Sequence, residues 1–454
     1  MSETLPMTPR PLWRTFLTFL VPMMLSNVLQ SLFGTFNNIY LGQMIGVDAL
    51  AAASGFFPVM FFLVSFVIGL SIGATVLIGQ AWGAGEREKI AVIAGTTFTV
   101  CLLFGLVTAI VGGLFSRPLM VALSAPANIV DEASNYARIM LVAMPLTFLF
   151  VIWTSMMRGV GDTVTPLLAL TISTAIGLVL TPALINGWFG LPRLNIASAA
   201  WASAISSLVT LVCLGFYLGR KHHPLACSAA VLAHLRPNPA LLGKILRIGF
   251  PAAVGMVAMS LAELVLLGLV NGHGSNATAA YGAVNQAMAY VQFPAMSIGI
   301  AVSILSAQMI GAGRTDRVDS VVRTGLMMNL VLTGSLVALT YLFSRAVMAL
   351  FITDPVVLDL AQNLLHIVSW SSVMFGMSLV FSNAMRASGT AIAPMILSLV
   401  AIAGIEVPAA FILDRHLGLQ GIWFAYAMAF CAMCILQMSY YHLVWKKQRI
   451  ERLI

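Results

Sequence analysis

Two acidic residues, Glu263 and Glu406, lie inside apolar stretches of the sequence. An ionised carboxylate in hydrocarbon is costly unless it is paired or neutralised, so residues of this kind are functional candidates. A Glu in such a place can take up and release a proton, or bind sodium through its oxygens. We therefore predict reversible binding of H⁺ or Na⁺ at Glu263 and, as a second candidate, at Glu406. The alternative for Glu263 is a structural hydrogen bond to Ser260.

Amide and tyrosine side chains are concentrated in two further apolar stretches. Polar groups at such positions must face protein or water, because an unsatisfied polar group in hydrocarbon is costly. They could bond a bound small molecule, or they could bond neighbouring helices, which is worth roughly 0.6 kcal/mol for each contact. The candidates for contact with a small molecule are Gln30, Asn37, Tyr40, Asn285, Gln286 and Tyr290.

Met259 and Phe57 are the apolar candidates for the same cavity. Thioether and aromatic groups offer polarizable surface, and ring faces attract cations. Both properties suit the binding of varied amphiphilic molecules. The alternative is ordinary packing or lipid contact.

The composition identifies the solvent that these stretches face. Of 454 residues, 60% are hydrophobic and 8% are charged, whereas soluble proteins carry about 25% charged residues. The sequence therefore predicts an all-α membrane protein with many spans. A net charge of +8 does not indicate nucleic-acid binding, because no segment could form a solvated basic face. Five cysteines, an odd number that falls mostly in apolar stretches, suggest neither a disulfide framework nor a zinc site.

Twelve apolar stretches are long enough to cross a membrane, which takes about 20 residues. Six lie in residues 1–219 and six in 248–454, with a polar linker at 220–247; the tenth is predicted at 360–385. Twelve spans place both termini and the linker on one side. That side holds all but five of the 23 Lys and Arg residues, so it is predicted to be cytoplasmic and the protein to reside in the inner membrane. His222, His223 and His234 of the linker are predicted to be solvated.

The two halves repeat one another. The segment GQAWGAG at 79–85 recurs as SAQMIGAG at 306–313, so that Gln80 and Gln308 are 228 positions apart. Arg158 and Arg386 have the same offset. Six helices in each repeat give a parallel relation between two lobes, an N-lobe at 1–219 and a C-lobe at 248–454. In transporters built this way, the substrate site lies between the repeats near mid-membrane.

These segments resemble the MATE (multidrug and toxic compound extrusion) family, within the multidrug/oligosaccharidyl-lipid/polysaccharide exporter superfamily. The resemblance is carried by FNNIYLGQ at 36–43, GQAWGAG at 79–85, RGVGDT at 158–163 and the second copy at 306–313. It implies export of an amphiphilic, often cationic, organic compound in exchange for H⁺ or Na⁺, by rocking of the two lobes. It also aligns Glu263 with an acidic residue that many relatives hold there.

The sequence departs from the family in its first half. Many members carry a carboxylate where this chain has Asn37, supported by polar residues where it has Gly177 and Thr181. An amide cannot titrate, so proton binding in the first half is not expected here.

Other functions and partners were weighed against this expectation. A flippase for lipid-linked precursors, or an exporter of one metabolite, is the alternative to a drug exporter. An enzyme is not expected, because no acid–base, nucleophile or metal constellation is visible. We expect no cofactor beyond the coupling ion, no nucleic-acid partner, contact with membrane lipids, and a monomer.

Overall fold

The computed structural model describes residues 11–123, 129–226 and 235–454, and all regular elements in these residues are helices. The first half contains α1 (Leu12–Tyr40), α2 (Val47–Gly83), α3 (Arg87–Ala122), α4 (Val130–Gly159), α5 (Val164–Asn186) and α6 (Ala197–Arg220). The second half contains α7 (Pro239–Asn271), α8 (Ser275–Gly311), α9 (Val318–Leu342), α10 (Ser344–Ala349), α11 (Pro355–Val368), α12 (Ser371–Ala387), α13 (Ile392–Ala401), α14 (Val407–Leu417) and α15 (Leu419–Leu443). Two π-helical turns, Leu41–Ile45 and Ile402–Glu406, follow α1 and α13.

The described helices confirm the predicted membrane fold. Eleven helical segments are long and apolar enough to span a membrane, and α11 with α12 makes a twelfth if the pair is one span. The span predicted at 360–385 is bent, because α11 and α12 meet at an angle of 42°. Hydroxyl groups compete with the helical backbone there: Ser369 Oγ donates to Leu365 O at 2.6 Å, and Ser371 Oγ donates to Val368 O at 2.6 Å.

Helix α7 begins at Pro239, inside the stretch that the sequence assigned to the polar linker. Asn238 caps it, since its Oδ1 accepts hydrogen bonds from the amides of Ala240 at 3.0 Å and Leu241 at 3.3 Å. Proline at the first helical position fits the same pattern, because its missing amide would have no partner there. Local capping thus extends the helix beyond its apolar span.

The turns that follow α2 and α8 are two copies of one structure. Gly85 has φ +75° and Gly313 has φ +74°, a left-handed conformation that glycine adopts without strain. Each turn closes with a bond to the repeated glutamine, Ala84 N to Gln80 O at 2.9 Å and Ala312 N to Gln308 O at 2.9 Å. The predicted repeat is confirmed.

The chain after α6 folds back onto the loop between α4 and α5. Trp153 Nε1 donates to Leu225 O at 3.1 Å, and Leu225 is fully buried. His222 is exposed as predicted. The prediction of a solvated His223 was wrong, because only 10% of its side chain is exposed where it faces Asp162. His234 lies outside the described residues.

The chain after α15 contacts the loop between α12 and α13 in the second half. Trp445 Nε1 donates to Ser388 Oγ at 2.9 Å. The Leu453 side chain packs against Gly389, since a Cβ added to Gly389 would lie 2.9 Å from Leu453 Cδ2. Gly389 is the repeat partner of Gly161, and both have positive φ, +89° and +94°. In both halves, the segment after the sixth span therefore contacts the end of the fourth span or the loop that follows it.

The contacts divide the chain into two compact units. One contains the described residues of Met1–Met24 together with Ala258–Leu453, and the other contains Leu25–Val257. Inside the second unit, α2 and the first half of α7 approach closely at glycines. A Cβ added to Gly69 would lie 2.5 Å from the Gly249 carbonyl oxygen, and one added to Gly73 would overlap the Ile245 carbonyl. Small residues of this kind let membrane helices pack backbone to backbone.

Candidate functional site

Two tyrosines from different helices meet inside the first unit. The hydroxyl oxygens of Tyr281, on α8, and Tyr426, on α15, are 2.8 Å apart. The two side chains are 5% and 7% exposed. Asn285, one turn after Tyr281 on α8, hydrogen-bonds with the Tyr281 hydroxyl. These groups form a polar cluster within an otherwise apolar core.

Glu406 lies at the end of the π-helical turn between α13 and α14. Pro408 follows two residues later and cannot donate a backbone hydrogen bond, which accounts for a local break in regular hydrogen bonding. The residue is 5% exposed. Among the described residues, no side chain is hydrogen-bonded to its carboxyl group. Such a carboxyl group is stable when it carries a proton or a bound cation.

Glu263, on α7, is brought to the same place. Its neighbour Ala262 packs in one apolar cluster with Ala401 and Ile402, at the start of the π-helical turn. The Glu263 carboxyl group interacts electrostatically with Glu406 and with both tyrosines. Unlike Glu406, Glu263 is exposed. No hydrogen bond to Ser260 is present among the described residues.

The other predicted residues of the second half lie around this cluster to different degrees. Met259 packs against both apolar clusters that contact Val407, the residue after Glu406. Gln286 and Tyr290 are half-buried further along α8. The Tyr290 ring meets the Phe293 ring edge-on at 5.4 Å. Asn285 thus lies beside Tyr281, and Met259 lies beside the clusters that contact Val407. Gln286 and Tyr290 would take part only through contact with a bound ligand.

The predicted residues of the first half form no comparable cluster. Gln30 is exposed, and Asn37 and Tyr40 are half-buried on α1. None of these three side chains is hydrogen-bonded to another described residue. Phe57 is 62% exposed and contacts Phe61 with a ring distance of 6.2 Å. These groups are available for contact with a ligand.

A ring fills the space beside Gly177 on α5, where the resemblance to the MATE family implies a polar side chain in many members. A Cβ added to Gly177 would lie 2.6 Å from Phe33 Cε2. Thr181, one turn later, is 1% exposed. The Phe33 ring therefore fills the space that a side chain at position 177 would need.

Sequence reasoning missed Tyr281, Tyr426 and the neighbouring Trp423. The spacing of Tyr281 and Asn285, four residues apart on one helix, was available as a signal. Nothing local marks Tyr426, which is 145 residues from its partner. The Trp423 ring lies 5.3 Å from that of Tyr281 and 5.5 Å from that of Tyr426. In the described part of the chain, no three His, Cys, Asp or Glu residues are grouped so as to hold a metal ion.

Comparison with known proteins places this arrangement in a family. The MatE family model matches residues 22–183 and 251–412, one stretch in each half. The chain is 44% identical over 444 residues to "Probable multidrug resistance protein YoeA" of Bacillus subtilis, covering 97% of this chain and 96% of that protein. It is 26% identical over 415 residues to a protein of Shewanella oneidensis named "FAD transporter", covering 91% of each chain.

Solved structures show the same fold. The structure of the VcmN MATE transporter mutant of Vibrio cholerae superposes with a TM-score of 0.89 at 19% identity, covering 97% of this chain and 98% of that one. Since the family model covers both halves and a relative with 44% identity spans nearly the whole length, this chain belongs to the MATE family of membrane transporters.

Proposed function

We propose that this protein exports amphiphilic, mainly cationic organic compounds across the inner membrane in exchange for H⁺ or Na⁺. Membership of the MATE family and the name of the Bacillus subtilis relative support export of drugs. The observation that carries ion coupling is the pair of carboxyl groups in the first unit. Glu406 is 5% exposed beside the second carboxyl group of Glu263, so that at least one of them needs a proton or a cation.

In this proposal, transport depends on an equilibrium between the ion-bound and ion-free states of Glu263 and Glu406. With the ion bound, the carboxyl groups are neutralised and the apolar surroundings of Glu406 are stable. After ion release, the negative charges favour a cationic substrate or a rearrangement that exposes them to water. One charge moving across a potential of 100 mV supplies about 2.3 kcal/mol, to which an ion gradient adds.

Substrate contacts are proposed in both halves. The amide, hydroxyl and apolar groups available for them are Gln30, Asn37, Tyr40, Phe57, Met259, Asn285, Gln286 and Tyr290. Alternating access by movement of the halves would expose such a site to each side in turn.

The test is transport by purified protein in liposomes that contain a pH-sensitive dye. A panel of amphiphilic cations is added with a proton gradient, with a sodium gradient, and with neither. Glu263→Gln and Glu406→Gln each remove a carboxylate, whereas Glu132→Gln removes an exposed one from the start of α4. We expect gradient-driven uptake in the wild type and in Glu132→Gln, and its loss in both other variants. Uptake that is unaffected by both variants would exclude these carboxyl groups as the ion-coupling residues.

An exporter of one anionic metabolite is the second candidate. The Shewanella oneidensis relative is named a FAD transporter, and Asn37 carries no charge where a carboxylate would repel an anion. Adding FAD to the panel separates the two candidates. Uptake of FAD without uptake of any cation would favour the second one.

We also propose that the protein is a monomer with both termini and the linker in the cytoplasm. The excess of Lys and Arg on that side supports the orientation. Reporter fusions at residue 454 and at the loop between α7 and α8 should give opposite signals for cytoplasmic and external location. Equal signals would contradict the proposed topology.

A further inference from the structure

A cavity of about 500 Å³ lies between the turn that precedes α9 and the chain that follows α15. This volume is within the range of small-molecule sites, roughly 300–1,000 Å³. None of its lining residues belongs to the proposed ion or substrate site. The charged and aromatic residues of the lining are Asp316, Asp319, Tyr441, Trp445, Lys446 and Arg449.

The chain that follows α15 is held on both sides of the cavity wall. Before the wall, Trp445 Nε1 donates to Ser388 Oγ at 2.9 Å. After it, the Arg452 guanidinium packs beside Gly313, where an added Cβ would lie 2.9 Å from Nη2. The lining residues within 446–450 lie between these two contacts. The wall is therefore positioned by the fold before any ligand binds.

The cavity lies at the ends of two membrane-spanning segments. One of its walls begins the apolar span Thr315–Leu342, and the other ends the span Leu419–Lys447. Just before Trp445, the Leu443 and Val444 side chains are 64% and 39% exposed. Exposed apolar side chains of a membrane span face the hydrocarbon chains of lipids. A polar cavity thus lies next to a surface that acyl chains cover, which is the arrangement that a lipid headgroup requires.

Two of the four charged lining groups are already engaged with each other. Asp319 Oδ1 lies 2.9 Å from Lys446 Nζ and accepts a hydrogen bond from the Tyr441 hydroxyl at 3.3 Å. Arg449 and Asp316 make no ion pair or side-chain hydrogen bond with another described residue. The described lining therefore presents one unpaired cation and one unpaired anion. This combination fits a ligand with both charges better than a simple anion.

We propose that the cavity binds a phospholipid whose zwitterionic headgroup carries a phosphate and a primary ammonium group. The Arg449 guanidinium binds the phosphate, because these two groups form charge-assisted and often bidentate hydrogen bonds. The Asp316 carboxylate accepts hydrogen bonds from the ammonium group. The acyl chains lie along Leu443 and Val444. A lipid held in this way bridges the two walls and stabilises the folded protein, since it binds the folded state alone.

The test measures the unfolding temperature of the purified protein in detergent with one added lipid at a time. Phosphatidylethanolamine should raise it more than phosphatidylcholine, whose trimethylammonium group has no N–H donor, and more than phosphatidylglycerol, which has no ammonium group. Arg449→Gln and Asp316→Asn should each remove most of this difference. Native mass spectrometry should show phosphatidylethanolamine binding weakened at least about tenfold in each, as expected for the loss of a hydrogen bond to a charged group.

Lys447→Gln is the matched control, because Lys447 is exposed next to the cavity without lining it. It should keep the full preference for phosphatidylethanolamine. Equal stabilisation by the three lipids, stronger stabilisation by phosphatidylglycerol, or an unchanged preference in both cavity variants would overturn the proposal.

Phosphorylethanolamine, the soluble form of the headgroup, separates a lipid from a free metabolite. We expect no stabilisation by it at the concentration at which the lipid acts, because it lacks the acyl chains. Equal stabilisation by both would assign the cavity to a soluble zwitterion and overturn the lipid assignment. These measurements involve no transport, so their outcome and that of the proposed function are independent.

Discussion

His223 Nε2 lies 3.7 Å from the Oδ2 atom of Asp162, and Nδ1 of the same ring accepts a hydrogen bond from the Leu225 amide at 3.2 Å. The accepting Nδ1 requires a ring that carries its proton on Nε2 and is therefore neutral. Burial lowers the pKa of His223 from its ordinary value of 6.5. The Asp162 carboxylate raises this pKa by less than burial lowers it, and nearby Lys221 lowers it by a smaller amount again. The folded segment after α6 therefore favours neutral histidine.

This arrangement predicts a loss of stability in acid. The pKa of His223 is lower in the folded protein than in the unfolded chain. Its contribution to the free energy of unfolding is therefore complete above about pH 6.5 and is lost as the pH falls toward the pKa of the folded protein. Between pH 7.5 and pH 5.5 the unfolding temperature should decrease in both the wild type and His223→Asn. The decrease should be larger in the wild type by on the order of 1 °C. The asparagine oxygen can accept the Leu225 bond without titrating. His222→Asn, at an exposed position, should behave as wild type; equal pH responses of all three proteins would contradict the prediction.

We predict that a carboxylate introduced at position 37 cannot replace the Glu406 carboxylate in the second half. The Phe33 ring, one turn before position 37, fills the space beside Gly177 on α5, and Gly177 has no side chain that could hydrogen-bond to the carboxylate of Asn37→Asp. We expect Asn37→Asp to leave Glu406→Gln inactive in gradient-driven uptake. Recovery of uptake in the double variant would show that the first half can couple ions by itself.

Because α2 and α7 pack closely, we predict that alanine destabilises the protein at Gly73, in the contact, but not at Gly34, outside it. Alanine at Gly73 would overlap the Ile245 carbonyl, whereas alanine at Gly34, on α1, would meet no atom within 4 Å. Gly73→Ala should destabilise the protein by about 1–3 kcal/mol. Gly34→Ala should be neutral or stabilise it by up to about 1 kcal/mol. The measurement is the unfolding temperature of each variant in detergent. Equal changes in both variants would argue against the close packing of α2 and α7 at Gly73.

The repeated turns predict equal losses at their glycines. Alanine at Gly85 or Gly313 must adopt the left-handed conformation, which costs roughly 1–2 kcal/mol. At Gly313 the nearest atom to the added Cβ is the Arg452 guanidinium nitrogen at 2.9 Å, and this flexible side chain can move. Unfolding measurements should thus give similar losses for both variants and none for Gly219→Ala, which lies in helix α6 with open space around it. A loss at only one turn would mean that the copies differ in energy.

The amino-acid sequence was sufficient to predict the membrane class, the positions of the apolar spans and the repeat. Long apolar stretches can be satisfied in hydrocarbon only as helices, so composition and charge spacing suffice for these conclusions. The turns at the repeated glycines could also be predicted from local sequence, because a tight turn with positive φ needs glycine whatever packs around it. Interruption of the tenth span was not determined in this way, since Ser369 and Ser371 differ little from serines that leave other helices intact.

Packing between distant helices determines which polar residues meet. A helical sequence specifies which side chains share a face, but the partner of that face depends on packing between distant segments. Packing of Ala262 on the α13 end brings Glu263 to Glu406, and the meeting of α8 with α15 pairs Tyr281 with Tyr426. In the same way, Phe33 fills the space beside Gly177. The polar cluster is therefore a property of helix packing, because contacts between residues more than a hundred positions apart leave no periodic signal in the sequence.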